Sequence, residues 1–292
     1  MSSKFKAHAA LSAVALIYGA NYTIAKVILD GEYIQPYALT LLRVASGVIF
    51  FWLFHGAFVK EKIERQDIPL FILCGLTGVA INQMLFIAGL KLTTHINAAL
   101  IMTATPILVL VASWFLLKEP ITGKKVLGIG LGIAGAAILI IYGKKFAFTK
   151  DGLLGDIMIF LNATSFGIYL VIVKTLMRKY NPLTVAKWIF TFGIFFVLPF
   201  GTHELINTPM NAFTPRIWLA VAYVLICTTF FAYLFNAIAL KLVSPSTVSI
   251  YIYLQPLIAT AIALLFGKDE LTIIKVAAGA FIFTGVFLVS RR

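Results

Sequence analysis

Ten apolar runs of close to 20 residues each dominate this chain. They occupy roughly 7–29, 36–54, 68–89, 94–117, 124–142, 153–174, 183–201, 216–236, 245–266 and 272–290. A helix of about 20 apolar residues crosses the hydrocarbon of a bilayer, and no water-soluble fold can hide ten such helices. Charged residues make up 12% of the 292 and hydrophobic ones 61%, against about a quarter charged in a soluble domain. The mean hydropathy of +0.99 agrees. Strands of a membrane barrel alternate apolar and polar over about ten residues, whereas these runs are apolar all round. The expectation is an all-α integral membrane protein with ten transmembrane helices.

Proline marks many of the boundaries: Pro36, Pro69, Pro120, Pro182, Pro209, Pro215 and Pro245. It suits the first turn of a helix, where no backbone N–H is needed. The connections are short and leave little room for a soluble domain. Lys4 and Lys6 before the first run resemble a signal peptide, but that run is long enough to span and is expected to stay as the first helix.

The net charge of +13 could suggest nucleic acid, yet the basic residues cluster at the ends of the runs. That is the positive-inside pattern, so a lipid bilayer is expected as the partner and nucleic acid is not. With the N-terminus inside, fifteen Lys and Arg fall on the inner side and eight on the outer, Arg43 being left within a span. Both termini are therefore expected on the cytoplasmic side of the cell (inner) membrane. The Lys144, Lys145, Lys150 cluster is an exception, lying outside and between the halves.

The chain also repeats itself. At a shift of 150, Leu90-Lys91-Leu92 meets Leu240-Lys241-Leu242, Pro106 meets Pro256, Lys118 meets Lys268, Thr122 meets Thr272, and Gly135 meets Gly285. At a shift of 148, Gly19 meets Gly167 and Lys26 meets Lys174. Two five-helix repeats, 1–145 and 146–292, are expected. Five is odd, so the second repeat enters from the opposite face. Inverted repeats of this kind are common in secondary transporters, with the substrate site near the midplane where the repeats meet.

The stretch Tyr18-Gly19-Ala20-Asn21-Tyr22, followed by Lys26, resembles the opening Trp-Gly-x-Asn-aromatic motif of the EamA-type drug/metabolite transporters. Arg43 resembles their recurring arginine. Thr103 to Gly135 resembles the end of an EamA unit, with a proline in the fourth helix, a Lys118-Glu119 exit and a Gly-rich helix. A weaker copy runs from about 153 to 290. Tyr18 stands in place of Trp, and Asp269-Glu270 varies the exit. The resemblance implies ten spans, cytoplasmic termini and transport of small metabolites; it names no substrate.

Polar groups inside lipid are costly and face a cavity or a partner helix. Tyr18, Tyr22 and Lys26 are spaced by four and share a face of the first helix, with Asn21 adjacent. They read either as a cavity wall or as a snorkelling lysine beside an amide that bonds a neighbouring helix. Asn162 and Tyr169 hold the related face of the sixth helix. Asn82 and Phe86 in the third helix, beside Gln83, and Tyr233 and Asn236 in the eighth, are candidates for cavity lining or for interhelical bonding. Asn97, Ile101 and Thr105 share a face of the fourth helix. Ser246, Ser249 and Tyr253 share one in the ninth, with Thr247, Tyr251 and Gln255 on the neighbouring face. Pro106 and Pro256 sit inside these two helices at matching positions. Each frees a carbonyl, at Met102 and Ile252, and is expected to act as a hinge. Arg43 is the Arg set well within a span and must find carbonyls, an acid or a substrate. Gly128, Gly132 and Ala136 allow close helix contact, within a monomer first and across a homodimer second.

No acid lies near the centre of a span; Asp156, about one turn into the sixth helix, comes closest. Export of organic cations coupled to protons wants a carboxylate there. The expected substrate is therefore a small neutral, zwitterionic or carboxylate-bearing metabolite, such as an amino acid, moved by alternating access and exported. Drug-like exporters and nucleotide-sugar-type exchangers are the nearer alternatives, and a passive channel is a remote one. An enzyme would need a positioned acid, base or nucleophile, and His8, His55, His95 and His203 lie near span ends. Cys74 and Cys227 read as small buried hydrophobes. No cofactor and no metal site is expected.

Overall fold

The computed structural model describes residues 3–141, 150–265 and 272–290, and these form ten helical segments. They are α1 (Ser3–Asp30), α2 (Pro36–Phe58), α3 (Arg65–Leu92), α4 (95–117), α5 (Gly123–Ile141), α6 (Lys150–Lys179), α7 (Pro182–Ile206), α8 (Pro215–Leu242), α9 (245–265) and α10 (Ile273–Ser290). No strand occurs among the described residues. Eight segments are long and apolar enough to cross a membrane; α5 and α9 stand outside that set. The expected boundary at 145/146, together with Lys144 and Lys145, lies outside the described residues, as do Lys268, Asp269 and Glu270.

Most helices run several residues past their apolar runs, because backbone hydrogen bonding continues until a proline or a cap ends it. Pro36, Pro182, Pro215 and Pro245 open helices. Thr94, Asn181, Thr214 and Ser244 accept from the first-turn amides of Asn97, Leu183, Ile217 and Thr247. A carboxylate from the other half supplies a further cap at each of two starts. Glu204 at the end of α7 accepts from the amides of Tyr37 and Ala38 at 2.8 and 2.9 Å. Glu61, just past α2, accepts from the amide of Asn181 at 2.8 Å. Negative charge at a helix N-terminus is favoured by the helix dipole, and the two caps tie α2 to α7 at both ends.

Contacts between helix ends establish the inversion. Thr93, at the end of α3, donates to Asp156, near the start of α6. Lys179 and Tyr180, at the end of α6, bond Asp67 at the start of α3. So α6 runs against α3, whereas Lys26 at the end of α1 bonds carbonyls at the end of α3. The sixth helix therefore runs opposite to the first, which it repeats.

The pseudo-twofold axis is visible in direct contacts between repeat mates. Gln83 bonds Tyr233, 150 residues on, and the hydroxyl of Tyr253 donates to the carbonyl of Thr103, also 150 residues away. The glycine stripe of α5 meets α10 inside the monomer. A Cβ on Gly128 would lie 2.8 Å from the Gly285 carbonyl, and one on Gly135 would lie 2.5 Å from that of Ala278. These two contacts are also related by the repeat. Gly132 leaves room for the ring of Tyr253. Outward faces carry large exposed hydrophobics such as Trp114, Phe115 and Leu219, as lipid-facing surfaces do.

Backbone crowding at the α5–α10 crossing gives a test. Gly285→Val puts a Cβ 2.5 Å from the Gly128 carbonyl, and overpacking of this kind costs about 1–3 kcal/mol. The unfolding midpoint of the purified protein should fall. Gly130→Val, which meets nothing within 4 Å, should leave it unchanged.

Candidate functional site

Regular α-helix satisfies its own backbone, so departures from it inside a membrane mark places where something else has to bond. Away from the helix ends, four departures occur among the described residues, in two symmetric pairs. α3 widens to a π-type turn at Leu76–Ile81, and α8 does so at Val224–Phe231. α4 breaks at Thr103 and Ala104, between His95–Met102 and Thr105–Leu117, just before Pro106. α9 tightens to a 3₁₀ stretch at Ile250–Tyr253, just before Pro256. Side chains compensate the displaced carbonyls. Ser165 donates to Thr77 at 2.7 Å, Tyr233 donates to Gly78 at 2.8 Å, and Thr228 and Thr229 both donate to Val224.

Where these irregular segments converge there is a cavity with about 80 Å³ of room for water centres, enough for several waters. Its polar wall comes from α1 (Tyr18, Asn21), α2 (Arg43), α3 (Asn82, Gln83), α6 (Asn162), α8 (Tyr233, Asn236) and α9 (Tyr251, Gln255). Its apolar wall includes Leu11, Val14, Phe86, Met102, Phe166, Val248 and Ile252. No Asp or Glu is among the described residues that line it.

Arg43 is 4% exposed. Its Nε donates to Thr229 Oγ1, on the π-type turn of α8, at 3.1 Å. None of the ion pairs among the described residues involves it. Three buried amide oxygens of the wall also lack a partner among the described residues: Asn21 Oδ1, Gln83 Oε1 and Asn162 Oδ1. For two of them the bonding network fixes which end of the amide is oxygen. Asn162 donates its Nδ2 to the carbonyl of Asn82 at 2.6 Å, and a carbonyl can only accept. Tyr233 spends its hydrogen on Gly78, with Asn82 Oδ1 also in reach, so towards Gln83 Nε2 it accepts. The cavity thus presents one cation and several bare acceptors.

Other candidates from the sequence lie elsewhere. Lys26 is a helix cap. Its Nζ donates to the carbonyls of Leu90 and Thr93 at 2.9 and 3.1 Å and pairs with Asp30 at 3.2 Å. Lys174, its repeat mate, donates to Leu240 and Val243. A cation over a helix C-terminus is favoured by the dipole, a role the spacing alone did not suggest. Asn97 bonds Asp156 at 3.3 Å near the face opposite the N-terminus. Ile101 packs in an apolar cluster on that side, and Thr105 is fully buried. Tyr169 packs on Gly78, and Tyr253 packs on Gly132. Ser249 bonds the carbonyl of its own helix at Ser246. The wall of α9 is thus the neighbouring face, with Tyr251 and Gln255. The 3₁₀ stretch tightens the helix there, which turns Tyr253 away from where α-helical spacing puts it. The side chain of Tyr22 falls outside the described ones. The π-type turns went unread in the sequence; Gly78 and the Thr228-Thr229 pair are the signals that mark them.

Loss of the cap should be structural in its effect. Lys26→Met removes a charged donor from two carbonyls, and hydrogen bonds to charged groups are worth about 1.5–3 kcal/mol each. Thermal stability should drop while the affinity of surviving protein for its ligand stays the same.

The profile of the EamA-like transporter family matches residues 5–141 and 153–291. An uncharacterized transporter of Archaeoglobus fulgidus is 27% identical over 98% of both chains. A protein of Streptantibioticus cattleyicolor named "probable terminal-alkyne amino-acid exporter" is 26% identical over 98% of this chain and 94% of its own. A solved crystal structure superposes with a TM-score of 0.72 at 20% identity, covering 94% of this chain and 97% of the other. That likeness supports the fold. With both halves of the chain matched in order, and the two repeats inverted about a polar cavity, this protein is a multi-pass membrane transporter of the EamA-like transporter family, in the drug/metabolite transporter superfamily.

Proposed function

We propose that the protein exports small amino-acid-like metabolites, zwitterionic or carboxylate-bearing, across the cell membrane by alternating access. The observation that carries this reading is Arg43, a buried cation in a cavity without an acid. An unpaired charge in a low-dielectric interior is costly, and a carboxylate is the partner that guanidinium binds best. The bare oxygens of Asn21, Gln83 and Asn162 suit an ammonium group on the same ligand. The name of the Streptantibioticus relative, an amino-acid exporter, points the same way. Tyr18, Asn82, Phe86, Tyr233 and Asn236 complete the substrate wall in this reading. Pro106 and Pro256 are its hinges, and the termini are cytoplasmic.

The two faces differ in a manner that fits one state of an alternating cycle. On the face opposite the N-terminus, Asp156 accepts from Thr93 at 2.5 Å and from Asn97 at 3.3 Å, which ties α6 to α3 and α4. At the repeat-related place on the N-terminal face, His8 and Thr247 border an open hollow. With cytoplasmic termini the Asp156 latch closes the outer face, while on the inner face the His8–Tyr251 contact stands between the hollow and the central cavity, an arrangement closed to the outside.

Counterflow of a mixed metabolite pool in proteoliposomes tests the substrate. Amino acids should exchange, and Arg43→Gln should reduce that flux at least tenfold, the effect of losing about 1.4 kcal/mol or more of charge-assisted bonding. Exchange of organic cations but never of amino acids, or flux untouched by Arg43→Gln, defeats the proposal. The latch has its own readout. Spin labels at Leu92 and Leu153, on α3 and α6, should gain a longer-distance population in Asp156→Ala, by about tenfold for a bond of roughly 1.5 kcal/mol.

A further inference from the structure

On the face that carries both described chain ends, a hollow of about 930 Å³ opens between α1, the α4–α5 connection, the end of α6 and the start of α9. We infer that this hollow is a second binding site, distinct from the central cavity, for a ligand bearing a phosphate or carboxylate group.

Its rim is basic. Lys118, Lys124, Lys125, Lys174 and Arg178 line it, with His8 beside them. Glu119 is the acid of the rim, and it is engaged: Lys125 pairs with it at 2.7 Å, and Ser246 donates to it at 3.3 Å. Lys174 is committed to the carbonyls of Leu240 and Val243. None of the ion pairs among the described residues involves Lys118, Lys124 or Arg178. Three exposed cations therefore surround one hollow whose carboxylate among the described lining residues, Glu119, is already held by Lys125 and Ser246. Mutual repulsion of like charges is relieved by an anion held between them.

A topology signal asks for Lys and Arg on one face of a membrane; it does not ask that they encircle a hollow. Departures from the internal repeat show where the extra charge was placed. At the shift of 150, Lys124 corresponds to Ile274; at 148, Arg178 corresponds to Asp30. In the other half, Asp30 pairs with Lys26. So Lys124 and Arg178, two of the three cations left without a partner, are positions where the halves diverge in charge. The site is set apart from the cavity by a side-chain pair: His8, on the hollow, lies 2.5 Å through Nδ1 from the hydroxyl of Tyr251, on the cavity wall. This inference holds whether or not Arg43 meets the transported molecule.

The full chain in nanodiscs of phosphatidylcholine, titrated with radiolabelled inorganic phosphate, tests a soluble ligand. Nanodiscs containing phosphatidylglycerol, with retained lipid counted by native mass spectrometry, test a lipid headgroup. Saturable phosphate binding weakened about tenfold in K118Q/K124Q/R178Q, and unchanged in R43Q, supports the site with a free anion. Phosphatidylglycerol retained by the parent and lost from the triple variant supports it with a lipid phosphate. R178Q alone, a single exposed change, should show a smaller loss in the same arm. Binding that is absent in both arms, indifferent to the triple variant, or abolished by R43Q alone overturns the inference.

Discussion

Inside a bilayer the peptide group has no water to bond, and this constraint governs every element described above. Helices satisfy it internally, which is why the described residues are helical apart from the connections between segments. The exceptions are informative because each needs a partner. At the π-type turns that partner is a hydroxyl of Ser165, Tyr233, Thr228 or Thr229. At the helix ends it is Lys26 and Lys174 on carbonyls and Glu61 and Glu204 on amides. Most of the same side chains bind one helix to another, so the rule that dictates local structure also fastens the tertiary one.

The cavity follows from those exceptions. Asn82 and Gln83 directly succeed the first π-type turn, and Arg43 is held by Thr229 within the second. Met102 and Ile252, each four residues before a proline, line the cavity from α4 and α9. Regular helices in these places would present only side chains to one another and would close the space. Irregular backbone and polar lining are thus one feature seen at two scales.

Much of this was legible in the sequence, for definable reasons. Span lengths and the shift of 150 depend on residue type alone, and so do the membrane fold and the repeat. Most cavity amides were legible too, since Asn or Gln inside lipid has few places to go. What could not be read was direction around a helix axis wherever α geometry fails. Tyr253 and Ser249 were placed by regular spacing, yet the 3₁₀ stretch turns Tyr251 and Gln255 to the cavity instead. Lys26 was left open between cavity and snorkelling because its partners, Leu90 and Thr93, are backbone carbonyls, which carry no residue signature.

The halves match in backbone and differ in chemistry, and Arg43 is the clearest instance. Aligning Pro36 with Pro182 and Gly47 with Gly193 sets Arg43 opposite Ile189, a buried apolar residue. A chamber with true twofold symmetry would accept an asymmetric molecule equally well head-first or tail-first. A charge on one side alone removes that degeneracy. On the proposal that cargo is anchored at Arg43, it would keep a single heading through the whole cycle, presenting one end to the compartment it leaves and the other to the compartment it joins.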